Sequence, residues 1–389
     1  ATAADAIDGV QPQYVVEPAS AGEVAKVLKC ADEAGLAVSP RGSGTKTGWG
    51  NRPKRCDLVL SLARMTQVIE HAASDLTVSV QAGCTVGTLQ KVLASQGQRL
   101  AFDPLWPERA TIGGTLATND GGSLRIRFGA LRDLIIGITL ALPDGTLAKS
   151  GGKVVKNVAG YDLPKLATGS LGTLAVITDA VFRLHPVFAE TRSLTVPMKD
   201  LDSANQLLLA IMDSRLAFTG LQMRAAREQG VEVDVRFEGT LAGVEGQVRE
   251  LSRMASPNVA AQARAECWRA RQDLFQPGAV VAKFSTLPAE LAAFSGLLAQ
   301  HARNSQWSLV AQANGIGHLR IAAGADVLMM LRSALEPAGS LVVQQCPPEM
   351  KDRLDVWGSP GDTLPLLRRV KQQFDPKATL NPGRFVGGI

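Results

Sequence analysis

Pro40-Arg41-Gly42-Ser43-Gly44-Thr45-Lys46-Thr47-Gly48 comes after a short apolar strand, Leu36 to Ser39, and its reading decides the first half of the chain. Consecutive backbone N–H groups flanked by small side chains can wrap an anion such as a phosphate. Glycine permits the positive φ and the close approach that such a wrap needs. Ser43 and Thr45 add hydroxyl donors, and Arg41 and Lys46 add charge. Taken alone, the loop fits a phosphate nest and a plain glycine turn equally well. The residues after it exclude a loop of the nicotinamide-binding type. That type needs a helix directly after the glycines, so that the helix N-terminus faces the pyrophosphate. Here the next residues are Gly48-Trp49-Gly50-Asn51-Arg52-Pro53-Lys54, a poor helix start, and the spacing is G-x-G-x-x-x-G.

A second block, Thr111-Ile112-Gly113-Gly114-Thr115-Leu116-Ala117-Thr118-Asn119-Asp120-Gly121-Gly122-Ser123, sets two glycine pairs around a small-residue turn. So bare a backbone can lie against a large planar ligand and its phosphates. A third block, Gly160-Tyr161-Asp162-Leu163 with Gly169-Ser170-Leu171-Gly172-Thr173-Leu174, enters a strand and can offer its backbone to an adenine edge.

Together these blocks resemble the FAD-binding domain of the vanillyl-alcohol-oxidase type, also called the PCMH type, over about residues 10–187. The C-terminal Phe374-Asp375-Pro376 and Leu380-Asn381-Pro382-Gly383-Arg384 are similar to the tail by which 2-hydroxy-acid members of that superfamily return to the flavin. Within it, Val154-Val155-Lys156-Asn157-Val158-Ala159-Gly160-Tyr161-Asp162 and the short middle region resemble FAD-binding glycolate oxidase subunits of the GlcE type. The resemblance implies FAD between two lobes of the first domain. It places the pyrophosphate on Pro40, Arg41, Gly42, Ser43, Gly44 and Thr45 and on Thr111, Ile112, Gly113 and Gly114. The adenine falls near Gly172, Thr173 and Ile177, and the flavin or its ribityl chain near Asn119, Gly121 and Gly122. Pro104, Thr118 and Asn381 complete the cofactor-binding candidates. Members with covalent flavin have His where this chain has Thr45, so the cofactor is expected to be noncovalent.

The expected fold is α+β: a two-lobed PCMH-type FAD-binding domain over 1–187, an α+β cap with an antiparallel sheet over 190–345, and a C-terminal segment, 346–389, that returns to the first domain. Local signals support this order. Ser20 and Glu23 form a capping-box pair before the apolar face Val24, Val27, Leu28 and Ala31. Strands are expected at Leu58–Ser61, Leu76–Ala82 and Leu134–Leu142, a strand pair or one long bent strand at Thr173–Leu184, and a helix at Val86–Ser95. In the cap, amphipathic helices near 202–216, 241–254, 288–302 and 325–335 alternate with strands, of which Val231, Val233 and Val235 show the two-residue period. A last helix spans about 363–374.

The substrate side is less explicit. Oxidising a 2-hydroxy acid needs a base for the hydroxyl proton and a cation, ideally Arg, for the carboxylate. Metal-dependent relatives use a Gly-Asp-Gly-Asn-Leu-His loop, which here reads Gly315-Ile316-Gly317-His318-Leu319-Arg320. A guanidinium does not bind a metal, so no metal site is expected. The catalytic residues are unknown, with His318, Arg320 and Arg384 as candidates. His318 and Arg320 share one face of a strand, and either look into the flavin cleft or pair with carboxylates at a domain boundary. Arg384 either sits by the flavin ring or is a surface residue near the terminus. His71 and His185 read as strand-edge residues, His301 as a helix C-terminal cation, and Cys84 as a buried thiol.

Composition bounds the rest. The 389 residues are 46% apolar and 20% charged, with net charge +5, which suits a two- or three-domain globular chain and excludes disorder. Two Tyr make an aromatic nucleic-acid platform a poor fit, so no nucleic-acid partner is expected. No apolar run approaches the roughly 18 residues of a transmembrane helix. No signal peptide is visible, and Ala1 in place of Met suggests a trimmed start. The five cysteines are widely spaced, with no C-x-x-C pair, so an iron–sulfur cluster would have to come from a partner.

The expected function is that of the FAD-binding subunit of a glycolate or other 2-hydroxy-acid oxidase complex, with a sister flavin subunit and an iron–sulfur subunit as partners. Its expected place is the cytoplasm, peripheral at the inner face of the membrane where partners hold it there. The alternatives are a non-catalytic FAD-binding relay or scaffold in the same complex, and a stand-alone D-lactate-type dehydrogenase.

Overall fold

The computed structural model describes residues 1–152, 160–228, 230–256, 258, 261–336 and 338–389. Residues 154–159 of the stretch that most suggested a glycolate oxidase subunit lie outside the described residues. The chain divides into two compact units. One comprises Ala1–Gly121, Gly129–Val187 and Ser359–Ile389, the other Gly122–Phe128 and Phe188–Gly358. By this division 346–358 and Gly122–Phe128 fall in the second unit, whereas the sequence reading assigns them to the C-terminal segment and the first domain.

The first unit holds two main sheets. Tyr14–Val16, Leu58–Ser61 and Val38–Arg41 form a parallel three-stranded sheet in that spatial order. Pro40 lies in its edge strand, where a missing N–H is tolerated. The C-terminal segment docks on that same edge: Val38 N donates to Thr379 O (2.7 Å) and Asn381 N to Val38 O (2.9 Å). Val68–Ala72, Thr77–Gln81, Val176–Arg183, Ile135–Ala141 and Leu147–Gly151 form an antiparallel five-stranded sheet. Buried Val24, Leu28, Leu60, Val80, Leu116, Ile138 and Phe182 join both sheets and their helices in one core. The helix Ala21–Glu33 buries Val24, Leu28 and Ala31, and Ser20 Oγ accepts from Glu23 N at its start. Val86–Ala94 is capped by Thr85 in the same way.

The second unit is built on an eight-stranded sheet. Its order is Ala261–Gln262, Glu190–Met198, Gly230–Gly239, Phe218–Ala226, Trp307–Gln312, Ile316–Ile321, Val280–Ser285 and Ser340–Gln345. All pairings are antiparallel, as expected for the cap. Alternation along these strands separates two faces. Val233, Val235, Phe237, Leu309 and Leu319 face the apolar core, which the helices Leu201–Met212, Leu241–Ala255, Leu291–His301 and Ala325–Leu335 cover. Gln222, Arg224, Asp234, His318 and Arg320 occupy the alternate positions. Asp234 is fully buried there, and Arg224 pairs with it at 2.6 Å and 2.9 Å while Gln222 and Thr195 donate to its carboxylate. A charge so deep is tolerated because it is paired and hydrogen-bonded.

Candidate functional site

A cleft open to solvent lies within the first unit. Three chain segments and the C-terminal tail make its walls. The strand Val38–Arg41 delivers the loop Gly42–Thr47 to it. Opposite stand Thr111, Gly113, Gly114, Ala117 and Thr118. Leu171, Gly172, Ala175, Val176 and Ile177 form the third side, and Asn381 and Arg384 reach it from the tail.

The N–H groups of Gly42, Ser43, Gly44 and Thr45 make no hydrogen bond among the described residues. Strand pairing ends at Arg41 and no helix takes over, so this run of donors borders the cleft unpaired. The loop is held in place by its side chains. Ser43 Oγ donates to Arg109 O, Thr47 Oγ1 to Gly44 O at 3.1 Å, and Arg41 pairs with Asp5 at 2.9 Å. The Asp5 carboxyl is held below its ordinary value by the Thr2 backbone N–H and by Arg41. Gly44 has φ +80°, and a Cβ on Gly42 would overlap the Thr111 hydroxyl, so both positions need glycine.

Between the two glycine pairs the structure departs from the expected turn. Ile112–Thr118 is an α-helix. Thr111 caps it by accepting from Gly114 N, Ile112 N donates to Cys84 O and Gly113 N to Ala82 O. Gly113 is required by this close approach, since a Cβ would lie 2.8 Å from the Ala82 side chain. Asn119 ends the helix at φ +47°, a left-handed C-cap that Asn adopts more readily than most residues.

The tail is pinned by a group that the sequence reading did not single out. Lys371 Nζ is buried and donates to Asp375 Oδ2 (2.6 Å), Thr173 O (2.7 Å) and Leu380 O (3.0 Å). Asp375 in turn accepts from Thr379 N and Leu380 N. Burial lowers the Lys371 ammonium below its usual value, and Asp375 opposes that shift. Asn381 Nδ2 donates to Leu171 O at 2.8 Å, while its buried Oδ1 has no hydrogen-bond partner among the described residues. A Phe-Asp-Pro after a helix was visible in the sequence, but that its Asp receives Lys371 one turn earlier was not.

The cleft thus brings together Pro40, Arg41, Gly42, Ser43, Gly44, Thr45, Thr111, Gly113, Gly114, Thr118, Gly172, Ile177 and Asn381 of the sequence candidates. The others lie elsewhere. Ile112 is in the core and Pro104 is buried in the preceding loop. Thr173 is buried with its hydroxyl donating to Ser170 O. Asn119 and Gly121 continue from the helix off the lining, and Gly122 belongs to the second unit. Lys46, read from the sequence as adding charge to the loop, lines the cleft too, and Thr47, Leu62, Ala117, Leu171, Ala175 and Val176 line it without having been singled out for it.

Of the catalytic candidates, Arg384 is not a surface residue. It is 4% exposed, lines the cleft and donates to Thr47 O and Trp49 O. Burial pushes its guanidinium below the ordinary Arg value. His318 and Arg320 lie in the strand Ile316–Ile321 of the second unit. His318 is 2% exposed, its ring centroid 6.2 Å from that of Phe275. Arg320 is half-buried, donates to Ser308 Oγ at 3.4 Å and has no carboxylate partner among the described residues. It borders a second cleft with Arg227, Ser308 and Trp307. Among the described residues no group of three or more His, Cys, Asp or Glu side chains is placed to hold a metal ion. Cys84 is fully buried and burial raises its thiol. No helix among the described residues is long and apolar enough to cross a membrane.

The residues of the first cleft fit a phosphate-bearing cofactor such as the FAD that the resemblance implies. The cleft has open N–H donors for an anion, glycines where side chains would block close approach, and a buried acceptor on Asn381 that lacks a donor. Comparison with known proteins agrees. Residues 12–151 match the model of the FAD binding domain family. The chain is 33% identical over 205 residues to a glycolate oxidase subunit, GlcD, of Bacillus subtilis, which covers 53% of this chain and 44% of that protein. The chain therefore spans about half the length of such curated relatives. It is 26% identical to a D-2-hydroxyglutarate dehydrogenase of Xanthomonas citri pv. viticola, over 96% of this chain and 89% of that one. Among solved structures, an alkyldihydroxyacetonephosphate synthase shares the fold with TM-score 0.74 at 20% identity, over 95% of this chain and 77% of that one. The resemblance read from the glycine blocks is borne out in the FAD-binding domain and in homologues that are hydroxy-acid oxidoreductases.

Proposed function

We propose, taking residues 12–151 as the FAD-binding domain that they match, that this chain is an FAD-binding subunit of a glycolate-oxidising complex, of the GlcE type, with the flavin held noncovalently. The observation that carries this reading is the run of unpaired N–H groups at Gly42–Thr45, facing a cleft that Thr111–Thr118, Leu171–Ile177 and Asn381 close. Bound there, FAD would supply the acceptor for the electrons leaving the carbinol carbon of a 2-hydroxy acid.

The chain's own residues do the rest. The Gly42–Thr45 N–H groups bind the pyrophosphate, and Asn381 Oδ1 accepts from a donor on the cofactor. Thr45 offers no imidazole for a covalent bond. Arg384 places positive charge in the wall of the same cleft. In the second unit Arg320 has no carboxylate partner among the described residues and borders the second cleft, so its guanidinium can still pair with a carboxylate there. Electrons leave to an iron–sulfur partner, since the chain's own cysteines lie too far apart in sequence to suggest a cluster.

One observation favours the relay or scaffold reading. His318, the one candidate for a base, is 2% exposed in the sheet, so no proton acceptor opens to a substrate there. Anaerobic addition of glycolate, or of D-lactate, to the FAD-loaded chain separates these readings. Bleaching of the visible flavin bands by the isolated chain marks a catalytic subunit. Bleaching only after the partner subunits are added marks a relay. Bleaching under neither condition contradicts a place in 2-hydroxy-acid oxidation.

A further inference from the structure

Lys46 ends the first glycine loop, and Asp120 comes directly after the left-handed cap of the helix that opens with the second glycine block. Their side chains meet at 3.1 Å and are 5% and 1% exposed. The same carboxylate oxygen accepts from Leu105 N at 2.8 Å. The Lys46 ammonium also lies 5.9 Å from the Trp49 ring centroid and 5.8 Å from that of Trp106. The pair thus joins three loops around one ion contact: the first glycine loop, the end of the second glycine block and the buried loop through Leu105.

Two indoles beside the ammonium would also accept an apolar side chain there. Buried ion pairs are seldom better for stability than well-packed apolar ones, because both charges lose water. What an ion pair adds is a single permitted geometry. Here that geometry sets one wall of the cleft against the other, because Lys46 belongs to the loop with the open N–H groups and Asp120 follows the C-cap of the helix Ile112–Thr118 across from it.

We infer that Lys46 and Asp120 are a positioning pair, a latch that holds the two glycine loops at the separation the cofactor needs before it arrives. This rests on the FAD reading above and gives these two residues of the glycine blocks a role towards each other that the sequence pattern does not show. A latch of this kind acts on the fraction of protein that is competent to bind. Breaking it raises the apparent dissociation constant by the inverse of that fraction, without altering the contacts made once the cofactor is in. Loss therefore falls on the association rate. A direct counter-charge on the cofactor behaves otherwise: losing it speeds dissociation, and neutralising its carboxylate partner tightens binding.

The test is FAD binding to the apoprotein, monitored by quenching of flavin fluorescence in stopped flow, for wild type, Lys46→Met, Asp120→Asn and Lys46→Met/Asp120→Leu. The double variant leaves no unpaired buried charge and serves where a single variant folds poorly. Thermal unfolding of each apoprotein checks the fold. The latch predicts that each single change raises Kd at least tenfold through the association rate. It predicts dissociation rates within twofold of wild type, and a double variant no weaker than the weaker single. Lys46→Arg, which keeps the charge, should recover most of the wild-type association rate. Single effects that multiply in the double variant, a faster dissociation rate, or tighter binding by Asp120→Asn overturn the latch while leaving the FAD reading intact. A wild-type apoprotein that takes up no FAD overturns both.

Discussion

Gly42 shows how little room the first glycine loop leaves. A Cβ there would run into the Thr111 side chain, which also caps the opposing helix, so one methyl disturbs both walls at once. Gly42→Val should raise the dissociation constant for FAD more than tenfold. By overpacking it should also lower stability by about 1–3 kcal/mol. Equilibrium dialysis and a thermal melt check both, and unchanged retention would mean that the loop is not the anion site. At His185 the effect is one of pH. Burial, with Arg183 and Arg99 beside it, keeps this imidazole below its ordinary value of 6.5. Only the unfolded chain then takes up the proton as pH drops below 6.5, so stability falls from there down to the folded value and levels off beneath it. Urea midpoints at pH 7.5 and 5.5 should differ less in His185→Gln than in wild type, and equal differences would contradict the shift. Single residues were legible where their type is decisive: Gly42 and Gly44 stand out in the sequence because little else fits. Asp120 and Lys371 did not stand out, and Lys46 stood out only as a charge on the loop, not as a buried partner of Asp120. A buried Lys and an exposed one are the same letter, and apart from Asp375, one turn from Lys371, and Leu380 in the same tail, the partners lie far away in the chain.

The periodic helices came through at the level of elements. Leu241–Ala255 and Ala325–Leu335 repeat apolar residues every three or four positions, and the structure places them within a residue or so of the expected ranges. Ile112–Thr118 did not, because its glycines and threonines are poor helix formers with no apolar stripe. It exists because Thr111 and the carbonyls of Ala82 and Cys84 satisfy its first N–H groups. The helix Leu364–Phe374 was expected, but not that its Lys371 fastens the tail to the loop at Thr173. Lys371→Met strands the Asp375 carboxylate in the interior, and breaking a buried pair from one side costs about 3–5 kcal/mol. The melting temperature should fall, and amide exchange at Thr379 and Asn381 should quicken relative to the five-stranded sheet. A melt within a degree of wild type would show that the tail is held by other contacts.

Across the whole molecule, the order of a glycine-rich first unit, an antiparallel second unit and a returning tail could be read from the letters, since each has its own composition. The seams could not. Gly122–Phe128 continues directly from the second glycine block, yet its short helix Arg125–Phe128 packs on the strand Phe218–Ala226, and Arg236 reaches Ser123 Oγ at 3.3 Å. Nothing local in those residues announces a partner so distant in sequence. The tail likewise rejoins the first unit at Ser359 and not at Cys346, because Leu341, Val343 and Val356 still belong to the core of the second. The central claim concerns the first unit: that its cleft holds FAD, without a covalent bond. The most direct measurement is the visible absorption spectrum of the chain after incubation with FAD and gel filtration, repeated on the supernatant and the pellet after acid precipitation. The account predicts oxidised-flavin bands that travel with the protein and then appear intact in the supernatant. A colourless protein, or flavin that stays with the precipitated chain, would contradict it.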